Sequence, residues 1–173
     1  MTPVSRVVDS PLGPLHLTVN PSGQLTGLHI GAQPPTRVAT EHTDRGTNVA
    51  RRALDVASAQ LDQYFAGVRS EFDLPVVLDG SAFQQQVWAQ LPRIPFGTTV
   101  SYGQLASRLG RGSAARAVGH ANARNPIPVI IPCHRVIGSS GQLTGYGGGL
   151  EAKRYLLSLE FNRRSDARSP GSL

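Results

Sequence analysis

Three closely spaced prolines constrain the fold of this chain more than any other feature. Pro126, Pro128 and Pro132 lie in the segment NPIPVIIPCHRVIG, residues 125–138. Because proline lacks a backbone N–H and fixes φ, this spacing forbids a regular helix. The segment is therefore predicted to be an extended or irregular apolar wall. It would deliver the only cysteine of the chain, Cys133, to a pocket.

The first part of the chain has the pattern of a small sheet followed by a helix. The runs RVVDS, PLHLTVN and LTGLHI are separated by SPLG and NPSGQ, which are typical turn sequences and favour a β-meander. Residues 31–46 are predicted to form a loop. Residues 48–66 have apolar side chains near a 3.6-residue period, which predicts an amphipathic helix that ends at Gly67. These elements define a predicted N-terminal domain over residues 1–78.

From Ser81 onward the pattern becomes helical. Ser81 is a predicted N-cap for the helix SAFQQQVWAQLPRI, and EAKRYLLSLEF predicts a helix near the end of the chain. Between them, SYGQLASRLG, a short RGS turn and SAARAVGHANAR have the pattern of a helix-turn-helix. The predicted C-terminal domain spans residues 79–162, and residues 163–173 are predicted to be a disordered tail. A helical pair that only packs a core is the alternative.

Charge is divided unevenly between the two parts of the chain. Residues 1–80 contain six arginines and eight acidic residues, a net of −2, whereas residues 81–173 have a net charge of +8. A basic second half favours contact with a polyanion such as nucleic acid. No apolar stretch is long enough to span a membrane, and the N-terminal residues lack a secretion-signal pattern. A single cysteine excludes an internal disulfide, so a cytoplasmic location is predicted.

The surroundings of Cys133 in the sequence suggest nucleophilic chemistry. The thiolate is the reactive form of cysteine, and a nearby imidazole or guanidinium favours it. His134 and Arg135 follow directly, but adjacent side chains of an extended segment point in opposite directions. A water between the thiol and His134 is therefore predicted, with Glu151 or Glu160 as a carboxylate that orients the imidazole. In the alternative reading, Cys133 and His134 are buried structural residues.

Several motifs together resemble one family. PCHRVIG is preceded by NPIPVII and followed by GYGGG, and the likeness extends through FQQQVWAQLPRIPFGTTVSYGQLA, ARAVGHANARNP and KRYLLSLE. These motifs resemble the O6-alkylguanine-DNA alkyltransferases, also called methylated-DNA–protein-cysteine S-methyltransferases. The resemblance is strong over residues 80–161 and looser in the N-terminal part, where DSPLGPLHL carries it.

The resemblance implies an α+β fold and a DNA-repair activity. The N-terminal domain would be ribonuclease H-like, and the C-terminal helix-turn-helix domain would be winged-helix-like. The expected reaction is a direct, irreversible, single-turnover SN2 transfer of an alkyl group from O6-alkylguanine in duplex DNA to Cys133, after base flipping. The sequence leaves open the preferred alkyl size and whether O4-alkylthymine is also a substrate.

The resemblance also implies roles for individual residues. In the catalytic set, Cys133 would be the nucleophile, His134 the base acting through a water, Glu160 its partner, and Asn125 a brace for the active-site turn. Tyr102 would donate a hydrogen bond to the flipped guanine, and the carbonyls of Cys133 and Val136 would accept from its amine. The predicted substrate-binding residues are Tyr102, Val136, Tyr146 and Gly147. Many family members have serine at position 147, so the effect of glycine on substrate range is open.

The resemblance also implies which residues contact DNA. Arg116 resembles the residue that fills the gap left by the flipped base, on a helix that enters the minor groove. Small residues suit that narrow groove, and its degenerate edges imply weak sequence preference. The predicted DNA-binding residues are Arg116, Tyr102, Ala115, Gly119, Asn122 and Arg135.

The expected partner is double-stranded DNA, and no membrane and no cofactor are expected. No structural metal is predicted, because the N-terminal part has no cysteine and its histidines lack a tight ligand spacing. A monomer is expected in solution, with cooperativity on DNA and the role of the tail left open. One alternative is a lesion-binding sensor or regulator without useful transfer. The other is a cysteine hydrolase, which leaves the basic half unexplained.

Overall fold

The computed structural model describes residues 2–32 and 47–168 and divides the chain into two compact units. One unit spans Met1–Asp79 and the other spans Gly80–Leu173. The predicted loop at residues 31–46 lies almost entirely outside the described residues. Within the described ranges, no helix is both long and apolar enough to cross a membrane.

The first unit is a three-stranded antiparallel sheet with one helix. The strands run in the order β1–β2–β3, and an isolated parallel bridge joins Leu25 to Val76. Its elements are β1 (Val4–Val8), β2 (Leu15–Val19), β3 (Leu25–Ile30) and α1 (Thr47–Phe65). Leu15, His16 and Leu17 of β2 are all buried, so burial alternates along this strand only at its end. The predicted meander and helix are therefore confirmed.

The second unit is mainly helical. Its elements are α2 (Ala82–Gln90), a 3-10 turn (Leu91–Arg93), β4 (Val100–Ser101), α3 (Tyr102–Arg108), α4 (Ala115–Ala123), a second 3-10 turn (Cys133–Arg135), β5 (Val136–Ile137) and α5 (Leu150–Arg168). Strands β4 and β5 pair in parallel. Together with the first unit, this arrangement confirms the α+β class. The winged-helix detail stays a prediction.

Local capping sets where two of these helices begin. The hydroxyl of Ser81 accepts a hydrogen bond from the backbone N–H of Gln84, and the side-chain oxygen of Gln84 accepts one from the backbone N–H of Ser81. Ser101 and Gln104 form the same reciprocal pair at the start of α3. Each such pair satisfies backbone donors that a helix start leaves free. The second pair fixes the direction of α3 and so the position of Tyr102, its first residue.

The predicted disordered tail is wrong for residues 163–168. Helix α5 continues to Arg168, while residues 169–173 lie outside the described part. The sequence RRSDAR contains no glycine or proline, so nothing stops the helix from propagating. Arg164 also donates a hydrogen bond to the backbone oxygen of Gly97, 3.2 Å away, which attaches this part of the helix to the unit.

Candidate active site

A turn clamped by one side chain positions Cys133. The Nδ2 of Asn125 donates to the oxygen of Ile131 at 2.7 Å, and its Oδ1 accepts from the backbone N–H of Ile127 at 3.0 Å. Residues 125–132 contain no helix or strand, as the prolines predict. Val129, inside this turn, has a φ of 72°, a conformation that a β-branched residue rarely adopts. Burial and the Asn125 clamp hold this strained turn, and the cysteine follows it directly.

The thiol of Cys133 is enclosed, with 3% of the residue exposed. Burial raises its pKa to about 11, against opposing effects of a hydrogen bond from Asn125 and the positive charge of Lys153. The sequence suggested that neighbouring cationic groups would keep the thiolate form populated. The structure instead gives a protonated thiol at neutral pH, because desolvation outweighs the nearby charge. Any attack by this sulfur therefore requires that the thiol proton is removed.

A base with a carboxylate partner follows the thiol in the sequence. The Nε2 of His134 is 2.7 Å from the Oε1 of Glu160, and both side chains are fully buried. Burial lowers the pKa of His134, against the effect of Glu160, so the imidazole is neutral at pH 7. With the ionised carboxylate accepting from Nε2, the network assigns the ring proton to that nitrogen. Within the described part of the chain, Nδ1 has no hydrogen-bond partner and is available to accept a proton.

Arg135 and the backbone of Gly97, as well as His134, hold the carboxylate of Glu160 as an anion. The guanidinium of Arg135 donates to both carboxylate oxygens, at 3.0 and 2.9 Å, and the backbone N–H of Gly97 donates to Oε2 at 3.2 Å. Burial alone would raise the pKa of Glu160. Hydrogen bonds from His134 and Arg135, and the positive charge of each when it is protonated, outweigh burial and lower this pKa to about 2. The carboxylate therefore stays charged and can stabilise an imidazolium.

Two residues predicted to contact DNA lie inside the protein. Arg135 is 6% exposed, and its guanidinium is committed to Glu160 and to the oxygen of Ile94 at 2.7 Å. Asn122 is 1% exposed and donates to the oxygen of Cys133 at 3.1 Å. Both side chains are therefore assigned here to the support of the site. Sequence position alone misplaced them, because the buried partners lie 25 and 11 residues away.

The predicted substrate-binding residues border the same region. The hydroxyl of Tyr102 donates to the oxygen of Thr144 at 3.0 Å, and the oxygen of Val136 accepts from Lys153 at 2.7 Å. The hydroxyl of Tyr146 is buried without a partner among the described residues. Burial, followed by the charges of Cys133 and Glu160, raises the pKa of Tyr146 well above its usual value. Gly147 is exposed.

Helix α4 presents the predicted DNA contacts on one side. Arg116 is exposed, while Ala115 and Gly119 are half-buried. Gly119 faces the ring of Tyr102, since a Cβ added there would lie 3.6 Å from it. The opposite side of the helix contributes Val118 and Ala121 to the core. The exposed side carries Arg116 and His120, and the other residues on it are alanine or glycine.

Lys153 is a site residue that sequence reasoning missed. It is the only lysine of the chain, and α5 buries it completely. Its ammonium donates to the oxygens of Val136 and Thr144, and it lies 3.5 Å from the hydroxyl of Tyr102. The sequence contained one indication that Lys153 is buried. It is next to Ala152 and three residues before Leu156, on the inward side of the predicted helix.

We expect Gly97→Ala to destabilise the protein by roughly 2–4 kcal/mol, through left-handed strain and overpacking. Gly97 has a φ of +73°, and an added Cβ would lie 2.9 Å from the side chain of Arg164 and 3.0 Å from the oxygen of Glu160. Gly110→Ala is the matched control, since its φ is +68° and nothing lies within 4 Å. Chemical denaturation of both variants would measure the difference, and equal losses would contradict a close packing of Gly97 against α5.

Comparisons with known proteins agree over nearly the whole chain. Residues 82–162 match the 6-O-methylguanine DNA methyltransferase DNA-binding domain, and residues 4–78 match the ribonuclease-like domain of the same family. A methylated-DNA–protein-cysteine methyltransferase of Mycobacterium tuberculosis strain H37Rv is 50% identical, covering 91% of this chain and 92% of the relative. The relative of the same name from Mycolicibacterium paratuberculosis is 49% identical, covering 97% of this chain and 95% of its own.

A solved structure gives the same result. The crystal structure of Mycobacterium tuberculosis OGT in complex with DNA has a TM-score of 0.81 and 47% identity, covering 92% of this chain and 94% of that chain. The clamped thiol, its histidine–glutamate pair and these matches point to one conclusion. The chain belongs to the 6-O-methylguanine DNA methyltransferase family, and its enzyme class is that of the methylated-DNA–protein-cysteine methyltransferases, which repair DNA by alkyl transfer.

Proposed function

We propose that Cys133 takes the alkyl group of O6-alkylguanine in duplex DNA by a direct SN2 reaction, so that each molecule acts once. The observation that carries this proposal is the buried His134–Glu160 pair directly after the only thiol in the sequence, with Nδ1 of His134 lacking a partner among the described residues. A neutral imidazole backed by a fixed carboxylate is a general base. The site has the parts that an activated sulfur nucleophile requires.

The proposed reaction balances without an added cofactor. The proton of the thiol passes through a bridging water to Nδ1 of His134, and Glu160 stabilises the imidazolium. The sulfur attacks the alkyl carbon, the bond from that carbon to O6 breaks, and its electron pair stays on the guanine. The guanine takes up one proton from solvent and the imidazolium of His134 releases one, so the thiol proton is accounted for. The product is a thioether, which water does not hydrolyse, so the transfer is irreversible.

Burial of the thiol determines when the reactive thiolate can form. With a pKa of about 11, resting Cys133 is protonated, so it is a poor nucleophile at neutral pH. Ionisation then depends on the proton acceptor beside it and on positive charge near the sulfur. We expect the thiolate to form together with the transfer, once a base occupies the site.

Recognition of the flipped guanine would use one side chain and three backbone groups. Tyr102 would turn its hydroxyl from the oxygen of Thr144 to a ring nitrogen of the base. The oxygens of Cys133 and Val136 would accept from the exocyclic amine, and each has a second lone pair beyond its present bond to Asn122 or Lys153. The backbone N–H of Gly147 would donate to O6.

We further propose that α4 enters the minor groove and that Arg116 fills the gap left by the extruded base. The exposed position of Arg116, the small residues beside it and the net charge of +8 over residues 81–173 support this. Extruding a base costs a few kcal/mol, so a side chain that occupies the gap lowers that cost. In this proposal a monomer carries the complete site, and double-stranded DNA is the partner.

Arg116→Ala is expected to slow repair of duplex DNA by about tenfold or more, because roughly 1.4 kcal/mol of extrusion energy corresponds to that factor. Reaction with free O6-benzylguanine should change little, since no base has to leave a stack. Single-turnover rates on both substrates would measure this. The control is Arg51→Ala, which removes the same charge from an exposed position of α1. Equal losses on the two substrates would exclude a role of Arg116 in base flipping.

A further inference from the structure

Lys153 has an unusual position for a lysine. The side chain is fully buried on α5, and long charged side chains are rarely enclosed unless a specific arrangement satisfies them. Here the ammonium donates to the oxygen of Val136 at 2.7 Å and to the oxygen of Thr144 at 3.0 Å. It also lies 3.5 Å from the hydroxyl of Tyr102 and 5.8 Å from the centre of its ring.

None of these direct contacts is a carboxylate. Among the described residues, the acceptors of Lys153 are two backbone oxygens and a phenol, which satisfy its hydrogen bonds but leave its positive charge unneutralised. Burial accordingly lowers the pKa of Lys153, whereas the negative form of Cys133 would raise it. The reciprocal effect is seen at the sulfur, where the charge of Lys153 opposes the effect of burial. The anion that this ammonium can pair with is one that forms during the reaction.

The same ammonium connects two parts of the recognition site. Val136 follows the 3-10 turn that contains Cys133, and Tyr102 begins α3. Lys153 contacts both, so a single group fixes the carbonyl and the phenol that the proposed function assigns to guanine. A phenol that accepts a hydrogen bond from an ammonium is a stronger donor through its own O–H.

We propose that Lys153 is a positioning residue for alkyl transfer: its buried ammonium orients Tyr102 and Val136, and its charge stabilises first the Cys133 thiolate and then the departing guanine. The inference rests on the proposed function. No bond to Lys153 forms or breaks. The sulfur loses its negative charge as it binds the alkyl carbon, the guanine gains that charge as its bond to this carbon breaks, and Tyr102 transmits the effect of Lys153 to the base.

Other titratable groups also act on this region. His134 follows the thiol in the sequence and is paired with Glu160, which also binds Arg135, and Tyr146 interacts with the charge of Cys133. The test therefore has to change Lys153 alone and to keep these groups in place. Lys153→Gln retains hydrogen-bond donors without the charge, and Lys153→Arg is the matched control because it retains the charge.

The first measurement is the rate at which iodoacetamide, a small alkylating reagent, modifies the thiol at pH 7. Since Cys133 is the only cysteine, the mass of the intact protein reports this thiol. Lys153→Gln should lower this rate about tenfold, because a rise of one unit in the pKa of the thiol lowers the thiolate fraction by that factor, and Lys153→Arg should keep the rate near the wild-type value. A glutamine variant that is folded and alkylated as fast as the wild type would overturn the proposal. Should glutamine prevent folding, Lys153→Met provides the same neutral test in an apolar form.

The second measurement is the rate of reaction with free O6-benzylguanine as a function of pH. We expect Lys153→Gln to lower the rate about tenfold at neutral pH and to shift its profile upward, and arginine to restore the profile. An unshifted profile with an unchanged rate would overturn the role. A wild-type protein that takes up neither a benzyl group from free O6-benzylguanine nor a methyl group from methylated duplex DNA would instead refute the proposed function, and the rate of alkylation by iodoacetamide would still decide the effect of Lys153 on the sulfur.

Discussion

Cys133→Ala is expected to abolish alkyl transfer while the protein stays folded and bound to DNA. The chain has no other thiol, so no neighbouring sulfur can replace the nucleophile. Removing one buried sulfur atom should cost only about 1 kcal/mol of stability, because the void is small. Incubation with duplex DNA carrying a labelled methyl group on guanine O6, followed by separation of protein and DNA, would measure the transfer.

The control for Cys133→Ala separates chemistry from recognition. Binding of the variant to the methylated duplex should stay within about threefold of the wild type, since the side chains assigned to the base and to the DNA are unchanged. Label that still moves to the variant protein would show that another residue accepts the alkyl group. That result would contradict the assignment of Cys133.

Glu160→Gln is expected to have the largest effect on stability. The substitution leaves the buried guanidinium of Arg135 without its anion, and breaking a buried ion pair in this way typically costs about 3–5 kcal/mol. It also removes the group that stabilises a protonated His134, so the rate of transfer should fall by about 10²–10⁴-fold. Glu151→Gln is the matched control, because Glu151 is an exposed glutamate of the same helix. Denaturation and single-turnover kinetics would be compared for the two variants.

The same carboxylate predicts how stability depends on pH. Its pKa falls from 4.5 to about 2 on folding, so its contribution is fully present above the unfolded value and is lost as the pH falls through the folded value. That lowering corresponds to about 3 kcal/mol, which the wild type should lose between about pH 4.5 and pH 2. Glu160→Gln should lack this part of the slope. A wild type and a variant that lose stability in parallel would show that Glu160 is not held as a buried anion.

The secondary structure followed from local patterns in most places. Turn residues divided the strands of the first unit, and serine caps marked where α2 begins. Local chemistry decides these features, so one sequence suffices to find them. The end of α5 was missed because arginine and serine composition suggested disorder, whereas a helix continues until a residue stops it. The three prolines were informative for the opposite reason, since they remove the hydrogen bonds of any helix.

The site was harder to derive than the fold. The residues alone left Glu151 and Glu160 as alternative partners of His134. Helical spacing could have chosen between them, because Glu160 follows Leu156 by four residues on the buried side of α5 and Glu151 is exposed. The roles of Arg135, Asn122 and Lys153 depend on partners far away in the sequence, so no local pattern reveals them. No local pattern reveals the raised pKa of the thiol either, because that pKa depends on how completely the fold encloses the sulfur.

Mass spectrometry after incubation with one equivalent of a duplex containing a single O6-methylguanine tests the central claim most directly. The account predicts that the protein gains one methyl group, that peptide mapping places it on Cys133, and that excess DNA adds no second group. Unmodified protein with an intact lesion would support a lesion-binding sensor. Unmodified protein with repaired guanine would show turnover instead, and either result would contradict a single-use sulfur nucleophile.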